Sequence, residues 1–120
     1  LKLVLFSNFG SREDIVSFYQ KIDIQIVWRP YMSDTRIALS NPLKIVNAAS
    51  FGVPTIALDE PAFHEMGKTY IPVSNENEFL DRVDALVASR TLYDHYAAKC
   101  LEKAREYHID KVCNLYKDLV

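Results

Sequence analysis

Residues 41–57 constrain the fold of this chain more than any other segment, because a helix start, a helix stop and an apolar run follow one another directly. Asn41 or Ser40 can cap a first helical turn, and Pro42 suits the first helical position. Gly52 supplies the stop, since glycine readily adopts the left-handed conformation that commonly ends a helix. The segment therefore predicts a helix of about ten residues, followed by a buried strand.

The predicted helix is apolar around most of its circumference and carries one polar stripe. Lys44 and Asn47 are three residues apart, so they share one face near the amino end of the helix. A cation beside the unpaired N–H groups of a first turn outlines an anion-binding site. We therefore predict that both residues contact a ligand; the alternatives are a solvated lysine at the helix rim and a buried asparagine that bonds to backbone. The apolar positions of the helix are Leu43, Ile45, Val46, Ala48 and Ala49.

Short apolar runs alternate with helical patterns through the first part of the chain. Ser11 and Asp14 form the pattern of a capping box at the start of the first helix. This alternation predicts an α/β fold with a parallel sheet of about four strands, flanking helices and right-handed crossovers. Ligands of such sheets bind outside the carboxyl ends of the strands, where we expect the loops 7–11, 29–40 and 59–67. The runs that predict strands are residues 3–6, 24–28, 54–58 and 70–73.

From Asn75 onward the sequence shows helical patterns only, which predict a helical C-terminal tail. Asn75 with Glu78, and Thr91 with Asp94, form two further capping-box patterns. Residues 107–110 predict a bend before a last helix. No internal repeat or low-complexity tract is present in the sequence.

The composition fits one compact globular domain over residues 1–120. Of its 120 residues, 49% are hydrophobic and 25% are charged. A net charge of −2 gives no basic footprint for nucleic acid, and no apolar stretch approaches the length of a membrane span, about 18 residues. Cys100 and Cys113 are too far apart along a continuous helix to form a disulfide. We therefore expect free, buried thiols in a soluble, cytoplasmic protein that binds no nucleic acid.

A polar cluster follows the predicted strand 54–58 and contains side-chain types used in acid–base and metal chemistry: Asp59, Glu60, His64 and Glu65. The H-x-x-x-H spacing of a helical zinc site is absent, and no Ser-His-Asp or Cys-His arrangement follows from the spacing. We predict no metal site and no cofactor, and the sequence identifies no catalytic residue.

The pattern K-x-x-N-A-x-x-x-G-V-P-T-I-A over residues 44–57 resembles the donor domain of GT-B glycosyltransferases. Those chains typically read K-L-x-E-A-M-A-x-G-x-P-V-V-A at this point. The run Y-Q-K-I-D-I-Q-I over residues 19–26 also stands where the family has Y-x-x-A-D-I-x-V. The resemblance covers roughly residues 1–75 and implies a Rossmann-like fold that forms half of a GT-B enzyme.

The resemblance implies a glycosyltransferase of the group 1, retaining type, as in polysaccharide biosynthesis, that takes a UDP-, GDP- or dTDP-sugar. In such enzymes the donor lies over the carboxyl edge of the sheet. By resemblance, Lys44 and the N–H groups that follow Asn41 hold the diphosphate, Asn47 holds the ribose, and the loop 29–40 faces the base. Glu65 matches an acidic residue that faces the sugar. The predicted donor-binding residues are therefore Arg36, Ser40, Asn41, Lys44, Asn47 and Glu65.

The chain departs from the family at two positions. Retaining members carry two glutamates eight residues apart, and here Asn47 and Leu39 stand in their places. An amide bonds a hydroxyl but lacks the charge of a carboxylate, so retaining chemistry is in doubt. One alternative is a degenerate GT-B domain with a structural or protein-interaction role, and a further alternative is a sugar-nucleotide epimerase of the same fold.

The chain begins at Leu1, without Met and inside a predicted strand, so we expect it to be part of a longer polypeptide. The resemblance then implies that a missing N-terminal domain holds the glycan or other acceptor and supplies the catalytic base. We expect this part alone to be inactive. Any peripheral membrane association would arise through the missing part.

Overall fold

A parallel β-sheet forms the centre of the structure, which is a computed structural model that describes residues 2–4, 10–29, 41–117 and 119. Within these ranges the sheet has three strands, in the order β1-β2-β3, and both neighbouring pairs are parallel. Ile26 lies opposite Ile56, which in turn lies opposite Ile71. The strands are β1 (Gln25–Val27), β2 (Thr55–Leu58) and β3 (Tyr70–Val73).

Helices account for most of the remaining described chain. The α-helices are α1 (Arg12–Gln20), α2 (Leu43–Ser50), α3 (Glu76–Ala88), α4 (Arg90–Ala104) and α5 (Ile109–Lys117). Two 3₁₀ segments, Pro61–Thr69 and Arg105–Tyr107, connect β2 to β3 and α4 to α5. None of the helices in the described part of the chain is long and apolar enough to cross a membrane.

The α/β class, the parallel sheet and the flanking helices are confirmed. The strands predicted over 24–28, 54–58 and 70–73 are β1, β2 and β3. The predicted strand 3–6 is not seen at residues 3 and 4, and residues 5 and 6 lie outside the described ranges. Three of about four predicted strands are therefore present in the described part.

Helices cover both faces of the sheet, because successive strand residues point to opposite sides. On one face, Val27 and Ala57 pack with buried residues of α2 and α4 and of the first 3₁₀ segment. On the other face, Ile56 and Ile71 pack against Leu86 of α3. Burial on both sides is most complete for the central strand β2, which explains why it reads as a continuous apolar run in the sequence.

Helix α2 is shorter at its start than the sequence predicts. Pro42 immediately precedes the helix, which begins at Leu43 and spans eight residues instead of about ten. Asn41 nevertheless supports the first turn, since its Oδ1 accepts a hydrogen bond from the Leu43 N–H at 3.0 Å.

The end of α2 is a Schellman motif centred on Gly52. Gly52 has φ of +69°, its N–H donates to the Ala49 carbonyl at 2.9 Å, and the Val53 N–H donates to the Ala48 carbonyl at 3.0 Å. The predicted helix stop is therefore confirmed. The motif turns the chain directly from α2 into β2.

The two capping boxes predicted in the tail have different outcomes. Asn75 caps α3, because its Oδ1 accepts from the Glu78 N–H at 2.9 Å. The prediction that Thr91 caps the next helix is wrong, since Ser89 is the cap and its Oγ accepts from the Leu92 N–H at 3.1 Å. Ser89 is the cap because it is the single residue between the end of α3 and the start of α4.

The two cysteines also differ. Cys100 is buried, with its Sγ 3.2 Å from the Thr69 carbonyl oxygen, and burial raises the pKa of its thiol to about 11. The prediction that Cys113 is buried is wrong, because it lies on α5, most of whose residues are exposed. Both thiols are free.

We expect Gly52→Ala to lower the free energy of unfolding by about 2 kcal/mol, because the left-handed conformation is costly for residues with a Cβ. The added Cβ would also lie 3.3 Å from the Leu101 Cγ. Gly67 has φ of +57° and ψ of −128°, a backbone conformation that residues with a Cβ rarely adopt, so Gly67→Ala should also cost about 2 kcal/mol although the space around it is open. Gly10→Ala is the control, with no positive φ, and should change stability by less than about 0.5 kcal/mol. Urea unfolding measures all three, and equal losses would contradict the assignment of the turn.

We expect Ellman's reagent to label Cys113 rapidly in the native protein and Cys100 only after unfolding, because a buried thiol with a raised pKa is unreactive. The raised pKa also means that the folded state holds the Cys100 proton more tightly than the unfolded state. Its contribution to stability is therefore full below pH 9.0 and falls as the pH rises to about 11. Urea midpoints measured across this pH range should fall in the Cys113→Ser variant as they do in the unsubstituted protein. In the Cys100→Ala variant they should fall less. Fast labelling of both thiols would contradict the buried position.

Candidate functional site

The carboxyl ends of β1 and β2 are joined by an ion pair between Arg29 and Glu60. The side chain of Glu60 is 1% exposed and that of Arg29 is 17% exposed. Arg29 donates from Nε to Glu60 Oε2 at 3.2 Å and from Nη2 to Glu60 Oε1, so the guanidinium is held by two hydrogen bonds. Its Cζ also lies 5.5 Å from the ring centroid of Phe63. These contacts fix a cation at the carboxyl edge of the sheet.

A cavity of about 180 Å³ lies beside this pair, at the start of α2. Pockets that hold whole drug-sized ligands span about 300–1,000 Å³, so this cavity fits one charged group of a larger ligand. Its lining residues are Arg29, Asn41, Leu43, Lys44 and Phe63.

The lining combines two cations with hydrogen-bond donors. Lys44 is exposed on the first turn of α2 and brings an ammonium group, and Arg29 brings a guanidinium. Asn41 brings a side-chain amide, whose oxygen is already bonded to backbone. The amino end of α2 adds the partial positive charge of its peptide groups. The arrangement is suited to an anionic group with several oxygens, such as a phosphate.

The structure brings together some of the predicted donor-binding residues and not others. Asn41 and Lys44 line the same cavity. Asn47 is half-buried about one turn further along α2 and is not among the lining residues. Arg36 and Ser40 lie outside the described residues.

Glu65 has a partner that the sequence does not predict. Its Oε2 accepts a hydrogen bond at 2.7 Å from the hydroxyl of Tyr107, which lies 42 positions further along the chain. Burial and this bond to Glu65 raise the pKa of the Tyr107 hydroxyl to about 12. Glu65 thus contacts the C-terminal tail.

A second group of polar side chains follows β2, and the sequence analysis assigned it no role. Asp59 Oδ1 accepts from the Tyr70 hydroxyl at 3.1 Å and lies 3.0 Å from His64 Nε2. Burial and the neighbouring Asp59 carboxylate raise the pKa of Tyr70 to about 12. Among the residues that the structure describes, no group of three or more His, Cys, Asp or Glu side chains could hold a metal ion.

A larger cavity, about 520 Å³, lies between the end of α2 and the helical tail. It contains none of the predicted donor-binding residues and does not touch the carboxyl ends of the strands, where ligands of parallel sheets bind. We therefore place the candidate site at the smaller, cationic cavity. The larger cavity is lined by Ser50, Leu101, Ala104, Arg105, His108, Asp110 and Lys111.

Comparisons of the chain with protein-family models, with curated proteins and with solved structures found no match.

We expect Glu60→Gln to lower the free energy of unfolding by about 3 kcal/mol, because it leaves the Arg29 charge without its anion. The double substitution Arg29→Met with Glu60→Leu should recover most of this loss, since an apolar pair carries no desolvation penalty. Asp94→Asn is the control, because its carboxylate pairs with Arg90 on the surface and should change stability by less than about 0.5 kcal/mol. Urea unfolding gives each value. A loss from Glu60→Gln no larger than that from Asp94→Asn would show that the pair contributes nothing.

Proposed function

We propose that this chain is the nucleotide-sugar-binding part of a GT-B glycosyltransferase, with a Rossmann-like fold that forms half of the enzyme. In this proposal, the cavity at the start of α2 binds the diphosphate of a UDP-, GDP- or dTDP-sugar. The observation that carries it is that two cationic residues, Lys44 and Arg29, line one cavity at the carboxyl edge of a parallel sheet. The helix that supplies Lys44 also carries the K-x-x-N motif.

The chemistry of sugar transfer fits a cationic cavity. When the sugar leaves its donor, negative charge develops on the nucleoside diphosphate, and cations held in place beforehand stabilise that charge. Arg29 is held by Glu60 and Phe63, so little reorganisation is needed at the moment of reaction. Lys44 adds an ammonium group to the lining of the cavity. The small volume fits the diphosphate, while sugar and nucleoside extend beyond it.

The remaining roles come from the resemblance to the family. Asn47, one turn beyond Lys44, would bond a ribose hydroxyl through its amide. Arg36 and Ser40 remain predicted contacts for the base. We assign no role to Glu65, because its carboxylate is bonded to Tyr107. The acceptor and the catalytic base come from outside this chain.

One observation favours the alternative of a non-catalytic domain of the same fold. Arg29 is already paired with Glu60, so part of the positive charge of the cavity is balanced within the protein. Asn47 also lacks the charge of the expected glutamate. If the cavity is only structural, nucleotides will not bind to it.

A two-dimensional NMR titration with UDP, GDP, dTDP and ADP, and with their monophosphates, tests the proposal. We expect saturable shifts confined to residues 29–47 and 59–67, with one base preferred, and diphosphates binding more tightly than monophosphates. The affinity for this isolated part is expected to be roughly millimolar, since it holds only part of the pocket. No shift at about ten millimolar of any nucleotide would overturn the proposal for this chain.

We expect Lys44→Ala to weaken diphosphate binding at least about tenfold, which corresponds to about 1.4 kcal/mol. The melting temperature should stay nearly unchanged, because Lys44 is exposed. Lys68→Ala is the matched control, since Lys68 is also exposed and lies at the opposite edge of the sheet, just before β3. Equal affinity in the two variants would remove Lys44 from the site.

A further inference from the structure

The 3₁₀ segment Pro61–Thr69 directs three consecutive side chains to three different places, because such a helix has about three residues per turn. Phe63 is buried in the core and lines the cavity. Glu65 reaches Tyr107 in the tail. His64 remains exposed, at 61% for its side chain, and reaches back to Asp59.

A chain of hydrogen bonds orients the His64 ring. Tyr70 donates its hydroxyl proton to Asp59 Oδ1 at 3.1 Å, and the same oxygen lies 3.0 Å from His64 Nε2. A carboxylate only accepts hydrogen bonds, so the neutral imidazole carries its proton on Nε2. The other nitrogen, Nδ1, is then a hydrogen-bond acceptor.

His64 is held at the same edge of the sheet as the cavity. Asp59 is the first residue after β2, and its N–H donates to the Val73 carbonyl at the end of β3 at 3.0 Å. The next residue, Glu60, binds Arg29 of the cavity. His64 therefore lies at the same edge of the sheet as the proposed diphosphate position, next to the first residue after β2.

We propose that His64 contacts the sugar of the donor, accepting a hydrogen bond from a sugar hydroxyl at Nδ1. This inference rests on the proposed function. A phosphate is disfavoured at this position because Asp59 places a negative charge beside the ring. In the neutral form of the ring, Nδ1 accepts a hydrogen bond, and a hydroxyl is a donor without a charge. His64 is thus a specificity-determining residue, and Asp59 and Tyr70 are positioning residues.

The test compares each sugar nucleotide with its parent diphosphate, using UDP-glucose, UDP-N-acetylglucosamine, GDP-mannose and dTDP-glucose as probes in NMR titrations. We expect the unsubstituted chain to bind at least one of them more tightly than its diphosphate. His64→Ala should abolish this advantage and leave the affinity for the diphosphate unchanged. His64→Asn should restore part of the advantage, because its amide oxygen can take the place of Nδ1.

His95→Ala is the matched control, since His95 is exposed on α4 and should not affect either affinity. If His64→Ala keeps the advantage of the sugar nucleotide, or if the unsubstituted chain shows no advantage, the role of His64 is overturned while diphosphate binding stands. If no diphosphate binds, the proposed function fails and the role of His64 fails with it.

Discussion

The side-chain amide of Gln25 is the contact on which the placement of α1 and α2 against the sheet depends. Gln25 is only 9% exposed. Its Oε1 accepts from the Tyr19 hydroxyl of α1 at 2.9 Å, and its Nε2 donates to the Lys44 carbonyl of α2 at 2.9 Å and to Thr55 Oγ1 of β2 at 3.2 Å. A buried amide without partners is costly, and this one is satisfied only where four elements meet. It therefore fixes the first turn of α2 against β1, and with it the position of the candidate cavity.

The candidate site and the stability of the sheet share one ion pair. Glu60 is tolerated in the interior because Arg29 compensates its charge, and every buried side-chain nitrogen or oxygen in the described ranges has a hydrogen-bond partner. The same pair holds a guanidinium beside the cavity that Lys44 also lines. The buried carboxylate of Glu60 thus stabilises the junction of β1 and β2 and also positions a cation at the candidate site.

Local signals in the sequence predicted much of the fold. The capping box of Ser11 and Asp14 and the stop at Gly52 are present as predicted, because each depends on contacts within a few residues. The prediction from local signals was wrong at Thr91, because α4 begins two residues after α3 ends and Ser89 between them is the cap. It failed again at Cys113, because a helical pattern does not show which face of α5 another element covers.

The sequence by itself determined the order of strands and helices, and it placed Asn41 and Lys44 at the start of one helix. Only the tertiary structure decided the partners of the charged and hydrogen-bonding side chains. Arg29 and Glu60 are 31 residues apart and meet because β1 and β2 are neighbours in the sheet. Asp59 meets Tyr70 because β2 also pairs with β3. Helical periodicity and helix caps depend on residues within a few positions of one another, so the sequence shows them directly. These contacts depend instead on which distant segments become neighbours in the sheet.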